Sequence, residues 1–393
     1  MYLQDKKKKH CTGCRACADI CPKGCISMKE DGEGFLYPVI DSEQCIQCHL
    51  CERVCPVGYD AFSEKDQTDV WAGVYDSSDV ICKSSSGGAF TAIYEQLLEL
   101  NYVVYGVCFD ENLKVKHAMA DSSEGCKAFR KSKYVLGDTN HCYPQIRDRL
   151  KNGEKVLFTG TPCQCAALLQ FLALAKVDTA NLITVDLICH GAPNQTLFDS
   201  YVKELEQREN SRVTEYSFRS KTPIERSVNS RSAKIVFANG SVKTVLPKDD
   251  PFLKAYYSRL CYRPSCKVCP FAKPQRVSDI TLGDAWAIEL LYPEWDPLAG
   301  VSLILANNEK GKGVVERIKD TMTLRSVTID WATQSNRQLR EPTEFHDRRR
   351  RFFRRWKKRG FSSAVAASTK DSLYWSLYAK VKRRWKRLMR GKL

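Results

Sequence analysis

CTGCRACADICP, Cys11 to Pro22, places four cysteines in a dozen residues near the start of the chain. Such a cluster belongs to a disulfide knot, a zinc site or an iron–sulfur ligand set, and the rest of the sequence decides among them. The chain has 393 residues and 19 cysteines. An odd count rules out a fully paired disulfide framework. A body of roughly 300 residues buries about three quarters of its unfolded surface, so core shortage does not explain the thiols either. The opening MYLQDKKKKH is charged and runs straight into Cys11, without the apolar stretch of an export signal. Later apolar runs such as Ala166–Leu174 are too short to span a bilayer. The expectation is a reducing, cytoplasmic setting, where clustered cysteines bind metal more often than each other.

The stretch recurs once. Cys11, Cys14, Cys17 and Cys21 precede Pro22, and Cys45, Cys48, Cys51 and Cys55 precede Pro56, each as C-x2-C-x2-C-x3-C-P. Zinc uses cysteines in pairs and does not require three at two-residue intervals followed by a fourth with proline. The spacing is that of the bacterial two-cluster ferredoxin, in which the fourth cysteine of each run ligates the other cluster. This assigns Cys11, Cys14, Cys17 and Cys55 to one 4Fe–4S cluster, and Cys45, Cys48, Cys51 and Cys21 to a second. The fourth cysteine is expected to begin a short helix. Cys25 reads as a buried, inert thiol, and Gly34–Asp41 as a short strand between the loops. A ferredoxin-like domain therefore spans 1–58, with a polar linker at 59–69.

Beyond residue 70, strands and helices alternate, predicting a mixed α/β body (α+β for the whole chain). Trp71–Ser77 reads as a strand, and KSSSGGAFTAIYEQLLEL (Lys83–Leu100) as a Ser/Gly turn opening a helix near Gly87. Such a turn offers free N–H groups and a positive dipole end to an anion, beside Lys83; an ordinary capped helix is the alternative. Asn101–Asp110 follows as a buried strand, in βαβ order. Glu154–Leu172 and Leu182–Leu205 each run from strand to turn to helix, with Cys163 and Cys189 in equivalent turns. Strand-end turns of open α/β sheets line ligand crevices, so these two cysteines are expected to converge. LCYRPSCKVCPFAKPQRVSDITLGDAW (Leu260–Trp286) adds Cys261, Cys266 and Cys269, and together these thiols predict a third metal site. Residues 212–258 read as an antiparallel insert with a hairpin at Asn239-Gly240.

In this order KSSSGGAFT, KSKYV (Lys131–Val135), FTGTPCQ, DLICHGAP and CKVC…SDITLGD resemble the coenzyme F420 hydrogenase/dehydrogenase beta-subunit family, over residues 11–286. The resemblance implies a flavin, FAD or FMN, and a third 4Fe–4S cluster in the body. It places Ser84, Ser85, Ser86, Gly87, Gly88, Ser132, Lys133, Tyr134, Gly160 and Thr161 against the flavin. The third cluster would be held by Cys163, Cys189, Cys266 and Cys269, with Cys261 able to replace Cys163. Lys133, Tyr134 and His190 become candidates to orient substrate or move a proton. The flavin would exchange single electrons with the clusters and a hydride with coenzyme F420 or another small acceptor. Forms with an N-terminal ferredoxin module are also similar to proteins associated with surface-polysaccharide synthesis. The body divides on this reading into a flavin-binding part at 70–180 and a part with the third site at 181–345.

The net charge of +16 is localised. From Arg348 onward there are 18 Lys or Arg and one acid, Asp371, while the remainder is close to neutral. The tail, 346–393, opens with RRRRFFRRWKKRGF and continues with Leu373, Leu377, Val381, Trp385 and Leu388 on one helical face. That pattern suits an interfacial helix on anionic lipid at the inner membrane face. An acidic partner, or packing on the body, would use the same stripe. Nucleic acid is disfavoured, since the body carries no DNA-reading motif. Two functions fit: an oxidoreductase fed by a ferredoxin-like or enzyme redox partner, and a non-catalytic subunit delivering electrons to a partner enzyme.

Overall fold

The computed structural model describes residues 1–58, 62, 68–221, 232–296 and 299–369. At the N-terminus β1 (Ile26–Glu30) and β2 (Leu36–Ile40) pair antiparallel, Ile26 opposite Ile40. The two cysteine runs lie on either side of this hairpin. Each run contains a one-turn helix, Ala16–Asp19 and Leu50–Arg53. These helices carry the third cysteine of each run and end just before the fourth, contrary to the expectation. Pro22 and Pro56 disfavour the helical conformation at the residue before them, so the fourth cysteine falls outside the helix. The loops repeat backbone as well as spacing. Gly13 and Gln47, then Arg15 and His49, adopt left-handed conformations at matching positions.

The body is built on one eight-stranded sheet. Its strands are β3 (Asp69–Tyr75), β4 (Tyr102–Phe109), β5 (Val115–Ala120), β6 (Lys155–Thr159), β7 (Leu182–Leu187), β11 (Ile280–Asp284), β12 (Ser302–Ala306) and β13 (Met322–Val327). Their order is β13-β3-β12-β11-β7-β6-β4-β5. Strands β4, β6, β7 and β11 are parallel neighbours, and β12 runs antiparallel between β11 and β3. The parallel centre is apolar along its length, as strands covered on both faces must be: Val156, Leu157 and Phe158 are fully buried. The expected βαβ unit is stretched. Helix Ala89–Glu99 does connect β3 to β4, but four strands stand between them, three of which, β7, β11 and β12, come from residues 181–345. Strands from 70–180 and 181–345 thus share one sheet.

The antiparallel insert forms its own sheet, with β9 (Ser232–Phe237) between β8 (Val213–Ser220) and β10 (Val242–Val245). At its Asn239-Gly240 turn only Gly240 has positive φ, and the Asn239 side chain accepts from Ser241 N at 3.0 Å. The inner face of this sheet packs Phe218, Ile235 and Phe237 against Leu197, Phe198 and Tyr201 of the helix Gln195–Glu209. The start of the basic tail joins the same core. Phe352 and Phe353 of the helix Arg349–Arg359 are buried, and Phe353 reaches Phe35 of the N-terminal domain at 6.0 Å between ring centres. Helix Phe361–Thr369 then folds back, its first N–H groups capped by the Glu204 carboxylate. Arg350, Arg351, Arg354, Lys357 and Lys358 stay exposed. The apolar stripe from Leu373 to Leu388 lies outside the described residues.

Candidate redox centre

In the N-terminal domain the two cysteine runs come together in space. Cys21, Cys45, Cys48 and Cys51 line one recess. Cys14 and Cys17 are electrostatic neighbours of Cys55, and Cys17 of Cys11. Burial, then repulsion from these neighbours, pushes the Cys14 and Cys17 thiols well above the ordinary range, a cost that bound iron relieves by stabilising thiolate. Cys25 is buried, as expected. It lines the first recess, with Sγ 3.4 Å from Cys21 Sγ.

The domain is docked on the body by paired charges and capped ends. Arg15 Nη1 lies 3.1 Å from Asp138, the buried Asp19 carboxylate 2.8 Å from His141 Nδ1, and Arg349 2.7 Å from Glu33. Asn194 donates to Glu33 O at 2.9 Å.

At the C-terminal ends of β6 and β7 the body opens into a second recess of about 630 Å³, counted with its mouth. Cys163, Cys189, Cys266 and Cys269 all line it, from three separate chain segments, and Thr12 of the N-terminal domain closes one side. Helix Pro162–Leu174 presents Cys163 from its first turn, where Thr161 and Gln164 form a reciprocal cap. The CxxC loop is held by Arg276, whose guanidinium donates to Phe271 O at 2.8 Å and pairs with the buried Asp186 at 2.9 Å. Burial pushes Cys163, Cys266 and Cys269 up to about 11, and Cys189 higher. Cys261 is fully buried among Tyr256, Leu260 and Tyr262 and is not among the recess residues. Among the described residues no three Cys, His, Asp or Glu side chains are gathered as a single-ion site. A four-iron cluster is gripped at its corners, so its thiolates stand farther apart than those around one ion.

The Ser/Gly turn also lies at this end of the sheet. The N–H groups of Ser85, Ser86, Gly87 and Gly88 meet no acceptor among the described residues, and helix Ala89–Glu99 begins immediately after them. Consecutive unpaired N–H groups at a helix start make a concavity for an anion. The serine side chains are engaged within the protein. Ser84 Oγ donates to Val80 O at 2.7 Å, Ser86 Oγ to Val301 O at 2.9 Å, and Ser85 Oγ accepts from Ser132 N at 2.8 Å. The last bond joins the turn to Ser132–Tyr134. The adjacent cation is Lys221, donating to Ile81 O at 2.7 Å and Ser86 O at 2.5 Å, while Lys83 pairs with Asp79. Gly87 is required by packing, since a Cβ there would meet Gly73 O at 2.2 Å.

Of the three candidate proton-handling residues, His190 is exposed at the recess rim beside Cys189. Lys133 Nζ turns inward onto Ala128 O and Arg130 O, and burial lowers its pKa to about 7. Tyr134 stacks on Tyr256 at 4.2 Å between ring centres. Sequence reasoning passed over Arg263, Arg276 and Lys221, all isolated cations in the text of the chain. The one available signal was Arg-Pro ahead of Ser-Cys-Lys-Val-Cys.

Paired thiol recesses of this kind define an iron–sulfur electron-transfer protein. Residues 10–59 match the 4Fe-4S dicluster domain, residues 70–141 the N-terminal part of the coenzyme F420 hydrogenase/dehydrogenase beta subunit, and residues 153–330 its C terminus. The chain belongs to the coenzyme F420 hydrogenase/dehydrogenase beta-subunit family. No curated protein matches it. Among solved structures, a chain of the F420-reducing [NiFe] hydrogenase complex from Methanosarcina barkeri aligns at 17% identity, covering 69% of this chain and 88% of that chain, with a TM-score of 0.47. No described helix is long and apolar enough to cross a membrane.

Proposed function

We propose that this protein is a flavin-dependent iron–sulfur oxidoreductase that takes single electrons through its N-terminal domain and delivers hydride to a small acceptor of the coenzyme F420 kind. The observation that carries this reading is the convergence of Cys163, Cys189, Cys266 and Cys269 on one recess that the N-terminal domain closes with Thr12. On this reading residues 1–58 hold two 4Fe–4S clusters, with the ligand sets given above, and the recess holds a third; Cys163, not Cys261, completes the set. The Ser85–Gly88 turn would take a flavin phosphate, with Lys221 nearby and Ser132 bracing the turn. Clusters carry one electron each, whereas a flavin accepts two as hydride and releases them singly. The protein's own contribution is placement. Thr161 and Arg276 orient the thiol loops, the buried apolar strands exclude water, and Lys133, Tyr134 and His190 stand as the groups to orient acceptor or hold a proton.

Anaerobic purification with iron, sulfide and flavin quantification tests this directly. About twelve irons, given four per cluster, and one flavin per chain are expected. Eight irons and no flavin would leave a ferredoxin domain fused to an inert body.

The family's role as a beta subunit of hydrogenases and dehydrogenases favours a second reading, a subunit that only delivers electrons to a partner enzyme. Catalytic rather than stoichiometric reduction of coenzyme F420 by dithionite, with the purified chain alone, separates the two.

The exposed cations of Arg349–Arg359 extend the proposal to an anionic membrane surface or acidic partner. Because Phe352, Phe353 and Phe361 belong to the core, the informative truncation removes residues after Thr369. Loss of sedimentation with anionic liposomes is expected; unchanged binding would place the lipid contact on the Arg349–Arg359 cations, and a full chain that does not sediment excludes lipid.

A further inference from the structure

Arg263 joins the two halves of the redox centre. Its side chain is 2% exposed and reaches into the N-terminal domain. There Nε donates to Cys11 O at 2.7 Å, and Nη2 to Leu36 O at 2.6 Å and Cys11 Sγ at 3.3 Å. The guanidinium lies 4.5 Å from the Tyr37 ring centre and 5.6 Å from that of Phe35. Its backbone stays with the body, N donating to Ala192 O and O accepting from Cys266 N, both at 3.0 Å. Arg263 itself lines the Cys163–Cys269 recess. Gly13 makes the approach possible, for a Cβ there would stand 2.7 Å from Nη1.

Among the described residues Arg263 forms no salt bridge with a carboxylate. A buried, unpaired guanidinium is costly. As a cluster ligand, Cys11 would supply the negative charge nearest to it, and Cys163 and Cys266 across the recess are further electrostatic neighbours. A fixed positive charge and an N–H donor at a ligating sulfur favour the more negative, reduced state of whatever that sulfur holds.

We propose that Arg263 is a positioning residue for the electron hand-over between the N-terminal domain and the body. It raises the electron affinity of the Cys11 set and fixes that set against the Cys266 loop. The hand-over moves one electron from the reduced Cys11 set to the oxidised body set, with no bond made or broken. The electron is supplied by a ferredoxin-class donor. This inference rests on the cluster assignments proposed above, so iron content is read first.

The test is an anaerobic potentiometric titration, followed by electron paramagnetic resonance, of the full chain and of R263Q and R263K. At full iron, one of the two N-terminal signals is expected to shift to lower potential in R263Q while the other stays. R263K is expected to shift the same signal less, since one ammonium cannot hold Cys11 Sγ, Cys11 O and Leu36 O together. If R263Q fails to fold, R263K decides alone. Unmoved potentials at full iron overturn the role of Arg263 and leave the cluster assignments standing. Wild-type protein with only about eight irons overturns the hand-over and the body's cluster assignment, and leaves the N-terminal assignments standing.

Discussion

The two thiol-bearing regions solve one problem by opposite means. In the N-terminal domain the candidate ligands lie between positions 11 and 55, in two loops whose left-handed residues match: Gly13 with Gln47, Arg15 with His49. In the body the candidate ligands come from the ends of two parallel strands and from a loop about eighty residues further on, and meet only because β6, β7 and β11 are neighbours in the sheet. A local site depends on its own loop; a dispersed site depends on everything that keeps three segments in register. Damage to the body's scaffold should therefore empty its recess and leave the N-terminal domain loaded.

The sharpest way to break this comparison is ligand removal. Cys266→Ser should cost about four of about twelve irons with both N-terminal signals retained, and Cys14→Ser should cost about four with the body signal retained. Loss of all iron in either variant would mean that the sites are not independent.

Next comes the scaffold. Arg276→Met strands the buried Asp186 carboxylate and frees the CxxC loop. It should lower stability to denaturant by about 3–5 kcal/mol and deplete the body's iron first. Gly87→Ala, forced against Gly73 O, should cost about 1–3 kcal/mol and reduce the flavin recovered with the protein.

The smallest effect is a pH slope. Burial lowers Lys133 to about 7, so between pH 7 and the ordinary lysine range the unfolded chain binds a proton that the folded chain lacks. Stability should therefore rise with pH in that window, by at most about 1.4 kcal/mol per unit, the penalty being full below pH 7. Lys133→Met should remove that component, as measured by the wild-type-minus-variant difference in denaturant midpoints across the window. An identical slope would place the Lys133 ammonium in water.

The legibility of the chain follows the same division. The ferredoxin spacing could be read because a cluster loop needs its thiols at set intervals along one short stretch. Strands β3, β4, β6 and β7 were readable from short, mostly apolar runs that lead into turns and helices. The strand order was not, since β12 inserts between β3 and β11 through contacts far apart in sequence. The closeness of Cys25 to Cys21 was not readable, because that distance depends on the fold of the hairpin beside it. The Ser/Gly turn was readable as a helix start with free N–H groups; that its serine hydroxyls are engaged within the protein was not, since their partners are set by the fold.

Sequence alone determined that this chain carries two ferredoxin runs ahead of an α/β body and a basic tail, because cysteine spacing, hydrophobic periodicity and charge are properties of neighbours along the chain. Tertiary structure alone decided which distant thiols share a recess, that Cys261 lies in the core, that the first basic helix is buried along its phenylalanines, and that Arg263 reaches across to Cys11. Those outcomes depend on the packing of a sheet whose neighbouring strands are separated by up to hundreds of residues, and such proximity has no signature in any short window of the chain.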